Sequence, residues 1–159
     1  MAEVRCWAEP ARVALAAGVF LGFDFGERRV GVAVGQAVTG TATALETIRV
    51  TSKEQLWRSV GRLVAEWQPA AFVVGLSHQE NGDENPITPL TRRFCRQLEG
   101  RFRRPVHTVD ETLTTMESRH LFAQQRPRKS AEFVDHKDQL AARLILETWL
   151  AEQQRGDVP

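Results

Sequence analysis

The spacing of hydrophobic and polar residues changes along the chain, and this change predicts a mixed α/β fold. After the N-terminal residues, three apolar or β-branched stretches are separated by short polar turns, a pattern typical of strands. We expect strands at residues 19–25, 29–34 and 41–50, with Glu27 and Arg28 forming a tight turn. Short turns join antiparallel neighbours, so these strands should form a meander.

Helical spacing begins after the third strand. Thr51 or Ser52 is a suitable N-cap, and the apolar positions that follow recur every three or four residues: Leu56, Val60, Leu63, Val64 and Trp67. The uninterrupted apolar run at residues 70–76 predicts a strand that is buried on both faces. A polar loop that contains the pair Asn81-Gly82 is expected over residues 78–89.

The rest of the chain predicts further helices and one more strand. A helix with Leu90, Phe94 and Leu98 on one face should end at Gly100. The last strand is expected at residues 105–109. Two more helices should follow at residues 113–124 and 131–153, with the basic loop 125–130 between them.

The order β-β-β-α-β-α-β-α-α predicts a five-stranded mixed sheet flanked by helices, with three antiparallel strands first and parallel βαβ units after them. A chain of 159 residues is long enough for one domain with a substantial core. We expect this domain to span residues 19–153. Residues 1–18 would then be an N-terminal extension and residues 154–159 a C-terminal tail.

Composition indicates a globular chain, because 42% of its residues are hydrophobic and 26% are charged. The net charge of +1 gives no global electrostatic reason for a polyanionic partner. Arginine dominates the cations; it suits bidentate phosphate contacts, and coding bias would give the same excess. Cys6 and Cys95 show no zinc or redox spacing, which favours a reduced, cytoplasmic protein. The apolar patch at residues 13–20 is too short to span a membrane, so no membrane partner is expected.

Asp24 lies within the apolar run 20–26. A carboxylate in such a run is costly unless it is paired or binds a cation. An exposed edge strand or a turn would explain Asp24 without any function. Because hydrophobic residues occupy both faces of this strand, we expect it to be central and Asp24 to be functional.

Two further acidic positions follow apolar elements. Asp110 and Glu111 come at the end of a parallel strand, where open α/β sheets bind ligands. Asp110 could instead cap the next helix, which leaves Glu111 as the freer candidate. Three carboxylates in such settings, with Asp138 as the third, predict a divalent-metal site of the kind used for phosphoryl transfer.

Asp138 shares a face of the final helix with apolar residues by spacing, namely Ala142, Ile145 and Trp149. It could also be a partner of the helix dipole. Asp135, one turn earlier, is a rival for the same role. The neighbouring His136 is expected to be exposed.

Basic residues form three clusters, and most clusters of this kind are merely solvated. They are Arg28-Arg29, Arg92-Arg93-Arg96 and Arg126-Arg128-Lys129. The last cluster lies just before Asp138 in sequence, so it could bind a nucleic-acid backbone.

Several motifs together resemble the YqgF/RuvX family. Residues 21–34 resemble its opening LGxDxGxxRIGVAV, and residues 40–48 resemble its next segment. The resemblance continues in order through three further segments: residues 72–76 with 81–82, residues 109–115, and residues 138–150. Each motif alone is weak, but the ordered set covers about residues 19–152 and is specific.

The resemblance implies an RNase H-like fold and a nuclease associated with maturation of the 5′ end of pre-16S rRNA or with resolution of Holliday junctions. The residues that carry over from the family as catalytic carboxylates are Asp24, Glu111 and Asp138. Our hypothesis is that they hold one or two Mg²⁺ or Mn²⁺ ions, with Asp24 at the sheet centre as the bridging ligand. The expected partner is nucleic acid, pre-rRNA or branched DNA, bound by a monomer or a homodimer. The residues expected to contact it are Arg29, Thr114, Thr115, Arg126, Arg128 and Lys129.

Three features depart from the family pattern. Thr112 stands where the family usually has Arg, Ser77 stands where Pro is usual, and the N-terminal extension is atypical. The missing arginine leaves open a non-catalytic RNA-binding role in ribosome assembly. An actin-like ATPase or sugar kinase would also open with Asp-x-Gly and a hairpin, but such proteins need two domains of this kind.

Overall fold

A computed structural model describes residues 18–76, 87–110 and 131–156. The elements within these ranges are β1 Val19–Phe25, β2 Arg29–Gln36, β3 Thr41–Arg49, α1 Lys53–Trp67, β4 Ala71–Leu76, α2 Thr88–Phe102, β5 Val106–Asp110 and α3 Ala131–Gly156. The predicted helix at residues 113–124, the basic loop 125–130 and nearly all of the N-terminal extension lie outside them. Within the described ranges, no helix is both long and apolar enough to cross a membrane.

The described strands form one sheet in the order β3-β2-β1-β4-β5. β1, β2 and β3 pair antiparallel, whereas β4 pairs parallel with both β1 and β5. This arrangement confirms the predicted mixed sheet and the central position of β1. β4 is buried at all of its positions, as its uninterrupted apolar sequence predicted.

The two faces of the sheet bury separate cores. Alternate residues of β1, such as Leu21 and Phe23, pack with α1 and α2, whereas Phe20 packs with α3 on the opposite face. Ser52 caps α1 by accepting a hydrogen bond from the backbone N–H of Gln55, which confirms Ser52 among the predicted caps.

The helix α2 differs from its prediction at both ends and on one face. It begins at Thr88 with Pro89 in its first turn, where a missing N–H costs nothing, so the predicted loop is shorter. It continues two residues past Gly100 to Phe102. Leu90 is 39% exposed, and Thr91 instead joins Phe94 and Leu98 on the buried face. Thr91 lies three residues before Phe94 and Leu90 lies four residues before it. Either spacing places a residue on the face of Phe94, so the sequence alone did not distinguish them.

Candidate active site

Asp24 lies near the C-terminal end of the central strand, on the face that α3 covers. It pairs directly with Gly31 of β2 in the antiparallel register. Residues that pair in this way project to the same side of a sheet. A Cβ atom at Gly31 would point at α3, so the side chain of Asp24 projects towards α3 as well.

The absence of a side chain at Gly31 brings α3 onto the sheet beside Asp24. A Cβ atom at this position would overlap the backbone carbonyl of Asp138 and would lie 3.1 Å from the Cβ atom of Asp138. The helix therefore contacts β2 through its own backbone. This close approach places Asp138 next to the strand partner of Asp24.

Asp138 forms an ion pair with Arg29, the first residue of β2. The Nε atom of Arg29 donates to Oδ2 of Asp138 at 2.8 Å. The side chain of Asp138 is 15% exposed and that of Arg29 is 38% exposed, so the pair is partly shielded from water. Such charge-assisted bonds are among the stronger hydrogen bonds in proteins.

Asp24 and Asp138 line the same open cleft of about 520 Å³. The turn between β1 and β2 forms one wall of it, through Gly26, Glu27 and Arg28. Ile87, which precedes α2, lines it as well. The structure thus brings together three residues that the sequence analysis proposed: two carboxylates and Arg29.

Glu27 and Ile87 were not proposed as site residues. Glu27 was interpreted only as part of a turn, and a turn beside an acidic strand end is the one signal that could have identified it. Ile87 carries no sequence signal, because its place in the cleft depends on how α2 packs against the sheet.

The remaining proposed residues lie outside the described ranges. They are Glu111, Thr114, Thr115, Arg126, Arg128 and Lys129. The side chain of Asp135 is likewise not described. Among the described side chains, no three of the types His, Cys, Asp and Glu are close enough to hold one metal ion.

The strand β5 brings the chain towards the cleft just before position 111. β5 lies two strands from β1, roughly 10 Å away at the usual strand spacing. His107 and Val109 pack on the face of α3, whereas Val106 packs on the face of α1 and α2. By this alternation Asp110 projects to the side opposite to Asp24.

The donor chemistry of the cleft fits a divalent cation. Carboxylate oxygens are preferred ligands of Mg²⁺, which is usually held by one or two carboxylates together with substrate phosphates. Asp24 and Asp138 supply two such groups in one cleft. The Arg29 guanidinium already lies against Asp138, so a positive charge is favoured at this position.

Two titratable groups outside the cleft have shifted pKa values, both because of burial. Desolvation raises the pKa of Cys95 on α2 to about 11, which keeps its thiol protonated and poorly reactive at neutral pH. Desolvation lowers the pKa of His107, whose ring stacks on Trp149 of α3 at 4.8 Å between centroids. Neither residue lines the cleft.

Comparisons with known proteins agree with this fold and show the family. The profile of the family described as "RuvX: Holliday junction resolvase" matches residues 18–152. A Methylococcus capsulatus protein named "Putative pre-16S rRNA nuclease" is 62% identical over 132 residues, 83% of this chain and 87% of that protein. A protein of the same name from Hydrogenovibrio crunogenus is 41% identical over 133 residues, 84% of this chain and 93% of that protein.

The fold is also that of a known resolvase structure. T. thermophilus RuvC in complex with a Holliday junction substrate superposes with a TM-score of 0.55 at 17% identity, and the match covers 87% of this chain and 96% of that chain. The mixed sheet, with helices on both faces, defines an RNase H-like domain. The chain belongs to the RuvX (YqgF) family of nucleases, hydrolases that act on phosphodiester bonds.

Proposed function

We propose that this protein is a metal-dependent endonuclease that matures the 5′ end of pre-16S rRNA. The observation that carries the proposal is the shared cleft of Asp24 and Asp138, two carboxylates from distant parts of the chain. The names of the relatives from Methylococcus capsulatus and Hydrogenovibrio crunogenus support pre-16S rRNA as the substrate.

Asp24, Glu111 and Asp138 would hold the Mg²⁺ or Mn²⁺ ions in this proposal. When bound, such ions activate water as a nucleophile and stabilise the charge that develops on the phosphate. The alternation along β5 supports Glu111 over Asp110 as the third carboxylate, because Asp110 projects to the side opposite to Asp24.

Arg29 would orient the scissile phosphate. Its bond to Asp138 uses Nε, so the two terminal nitrogens of the guanidinium remain as donors for a phosphate oxygen. Because Arg29 would contact both Asp138 and the phosphate, it would hold the phosphate at a fixed position relative to this carboxylate. The proposed contacts of Thr114, Thr115, Arg126, Arg128 and Lys129 extend this binding surface.

Removal of the Asp24 charge tests the proposal. Asp24→Asn keeps the shape of the side chain, and we expect cleavage to fall roughly 100-fold or more because the substitution weakens the metal site. Glu46→Gln is a matched control, since Glu46 is a partly buried carboxylate that pairs with Arg62 away from the cleft. Circular dichroism and thermal melting would verify that both variants are folded.

The substrates would be a labelled RNA that spans the 5′ end of 16S rRNA and a four-way DNA junction, each with Mg²⁺, Mn²⁺ or EDTA. Metal-dependent cleavage of the RNA that is lost in Asp24→Asn is the expected result. Symmetric cleavage of the junction alone would instead favour the resolvase, which the likeness to RuvC supports as the second candidate. RNA binding without cleavage by the wild-type protein would contradict both and favour an assembly factor.

A further inference from the structure

A second groove adjoins the cleft across the turn after β1. The groove lies between α1 and α2, measures about 220 Å³ and shares Phe25, Gly26 and Glu27 with the cleft. A third depression of about 390 Å³ continues from the groove, with Lys53 and Trp57 common to both. The three depressions are therefore neighbours in a row, called here the path, which begins at the carboxylates, crosses the turn after β1 and follows α1 and α2.

The floor of the groove is aromatic and largely buried, since Trp57 is 8% and Phe94 2% exposed, and Leu90 is the exposed apolar residue of its lining. The rings of Trp57 and Phe94 are stacked with centroids 5.4 Å apart, and Phe25 lies 4.7 Å from Phe94. Leu90 lines the groove and is 39% exposed. An exposed apolar side chain beside aromatic rings offers a surface on which an unstacked nucleobase can pack.

Cations border this path, and most of them lack an acidic partner. Within the described ranges, Lys53, Arg58 and Arg93 make no ion pair. Arg101 lies over the ring of Trp57, with 4.5 Å between Cζ and the ring centroid. By contrast, Arg62 pairs with Glu46 on the same side of the sheet.

The charge of the lining favours an anionic occupant. Its four cations outnumber its two carboxylates, Glu27 and Glu54. Exposed cations without an acidic partner suit a chain of phosphates, and the apolar lining suits bases that are not already stacked in a duplex. Among polyanions, a single nucleic-acid strand has both features.

We propose that the groove and the depression that continues from it bind a single-stranded segment of the substrate adjacent to the scissile phosphate. These two depressions together are called the α1–α2 groove. Lys53 and Arg93 contact the phosphates of this segment, and Leu90 packs against a base. The inference rests on the proposed nuclease function for the identity of the substrate, but it concerns a surface outside the catalytic cleft.

Binding measurements without metal test the groove separately from catalysis. Fluorescence anisotropy in EDTA would follow a labelled single-stranded RNA from the 5′ end of 16S rRNA as it binds wild-type protein and Lys53→Gln/Arg93→Gln. We expect weaker binding, and a slope of log affinity against log salt that is smaller by about 1.4, at roughly 0.7 for each lost phosphate contact on a single strand. The charge-matched control is Arg62→Gln/Arg143→Gln, whose arginines pair with Glu46 and Glu147.

A second variant tests the base contact without a change of charge. Leu90→Ser should weaken single-strand binding about fivefold, the low end of the loss that follows removal of an aromatic stacking partner, because Leu90 offers an apolar contact but no ring. Val38→Ser is the control, because Val38 is 74% exposed and does not line the groove. Duplex RNA should bind Leu90→Ser and the wild-type protein equally.

The outcomes separate the groove from the nuclease proposal. Equal single-strand affinity and salt slope for the groove variants and their controls would overturn the inference, even if the protein cleaves RNA. A loss that affects duplex RNA as strongly as the single strand would overturn it too. Weaker single-strand binding by the groove variants alone would support the groove, even if no cleavage is found.

Discussion

The two faces of the sheet differ in how closely their helices approach it. On one face, α3 lies against β1 and β2 with backbone near backbone, which Gly31 permits because any Cβ there would overlap the carbonyl of Asp138. On the other face, large aromatic residues separate the sheet from α1 and α2. They include Phe23, Phe72, Phe94 and Trp57.

This difference explains why the two carboxylates of the cleft lie on the face that α3 covers. A close helix can carry a short side chain such as Asp138 to the edge of the sheet, beside another short side chain such as Asp24. A helix held away by aromatic rings cannot place a carboxylate there, but it leaves a groove along its border. The face with the close helix therefore positions the two carboxylates of the cleft, and the aromatic face is free to contribute the proposed binding surface.

The largest effect is expected from a methyl group at Gly31. Gly31→Ala must displace the backbone of α3, which should lower the free energy of unfolding by about 3 kcal/mol. It should also lower cleavage roughly 100-fold, because small displacements of catalytic groups are costly. Urea unfolding and RNA cleavage would measure the two effects.

Gly35→Ala is the matched control on the same strand and face. A Cβ atom at Gly35 would meet the flexible ends of Leu146 and Leu150, at 2.9 and 3.1 Å, rather than backbone. We expect a loss of about 1 kcal/mol or less, with cleavage retained. Equal effects at Gly31 and Gly35 would contradict the special role of the contact with Asp138.

A cavity in the opposite core should affect stability without affecting catalysis. Val60 is fully buried between α1 and the sheet and does not line the cleft or the groove. Val60→Ala should lower the free energy of unfolding by about 2 kcal/mol through lost burial and an unfilled cavity. Cleavage measured well below the melting temperature should stay near the wild-type rate; a large loss would show that the two faces are coupled.

Loss of the ion pair in the cleft should change binding more than stability. Arg29→Gln should alter the free energy of unfolding by less than about 1 kcal/mol, because the pair is partly exposed. The free protein should bind Mn²⁺ a few-fold more tightly, since Asp138 loses a competing cation, while nucleic acid should bind more weakly. Calorimetric titration with Mn²⁺ would measure the first effect, and unchanged Mn²⁺ affinity would argue against Asp138 as a ligand.

The smallest effect is expected from pH, through His107 on the face of α3. Burial lowers the pKa of His107 in the folded state, so the unfolded state binds its proton more readily. The stability contribution of neutral His107 is therefore complete above the unfolded pKa of about 6.5 and is lost as pH falls below it. Within the described part of the chain its Nε2 atom is buried without a hydrogen-bond partner, which agrees with this direction.

The measurement is urea unfolding between pH 5 and pH 8. The wild-type protein should lose more stability at the acidic end than His107→Phe, which keeps an aromatic ring beside Trp149. His136→Gln should behave like the wild-type protein, because His136 is exposed as its helical spacing predicted. Parallel curves for the wild-type protein and His107→Phe would contradict the lowered pKa.

Local periodicity determined much of this protein. The hydrophobic residues on both faces of β1 correctly predicted a central strand, and the unbroken apolar sequence of β4 correctly predicted a fully buried one, because side-chain direction in a strand depends only on the backbone repeat. The same reasoning identified Asp24 and Asp138 as unusual carboxylates. The position at the end of the last strand indicated Glu111 as well, and the family motifs supported it; Glu111 lies outside the described residues.

The approach of Asp138 to Asp24 and Arg29 depends on tertiary packing and could not be predicted from the local sequence pattern. The position of α3 along the sheet depends on which side chains are missing beneath it, and this brings Asp138 to Asp24 and gives it Arg29 as a partner. The exposure of Leu90 was likewise fixed by packing, since helical spacing fits two adjacent faces of α2 equally well. Contacts between distant segments follow from the volumes that fill the space between them, and no local repeat encodes those volumes.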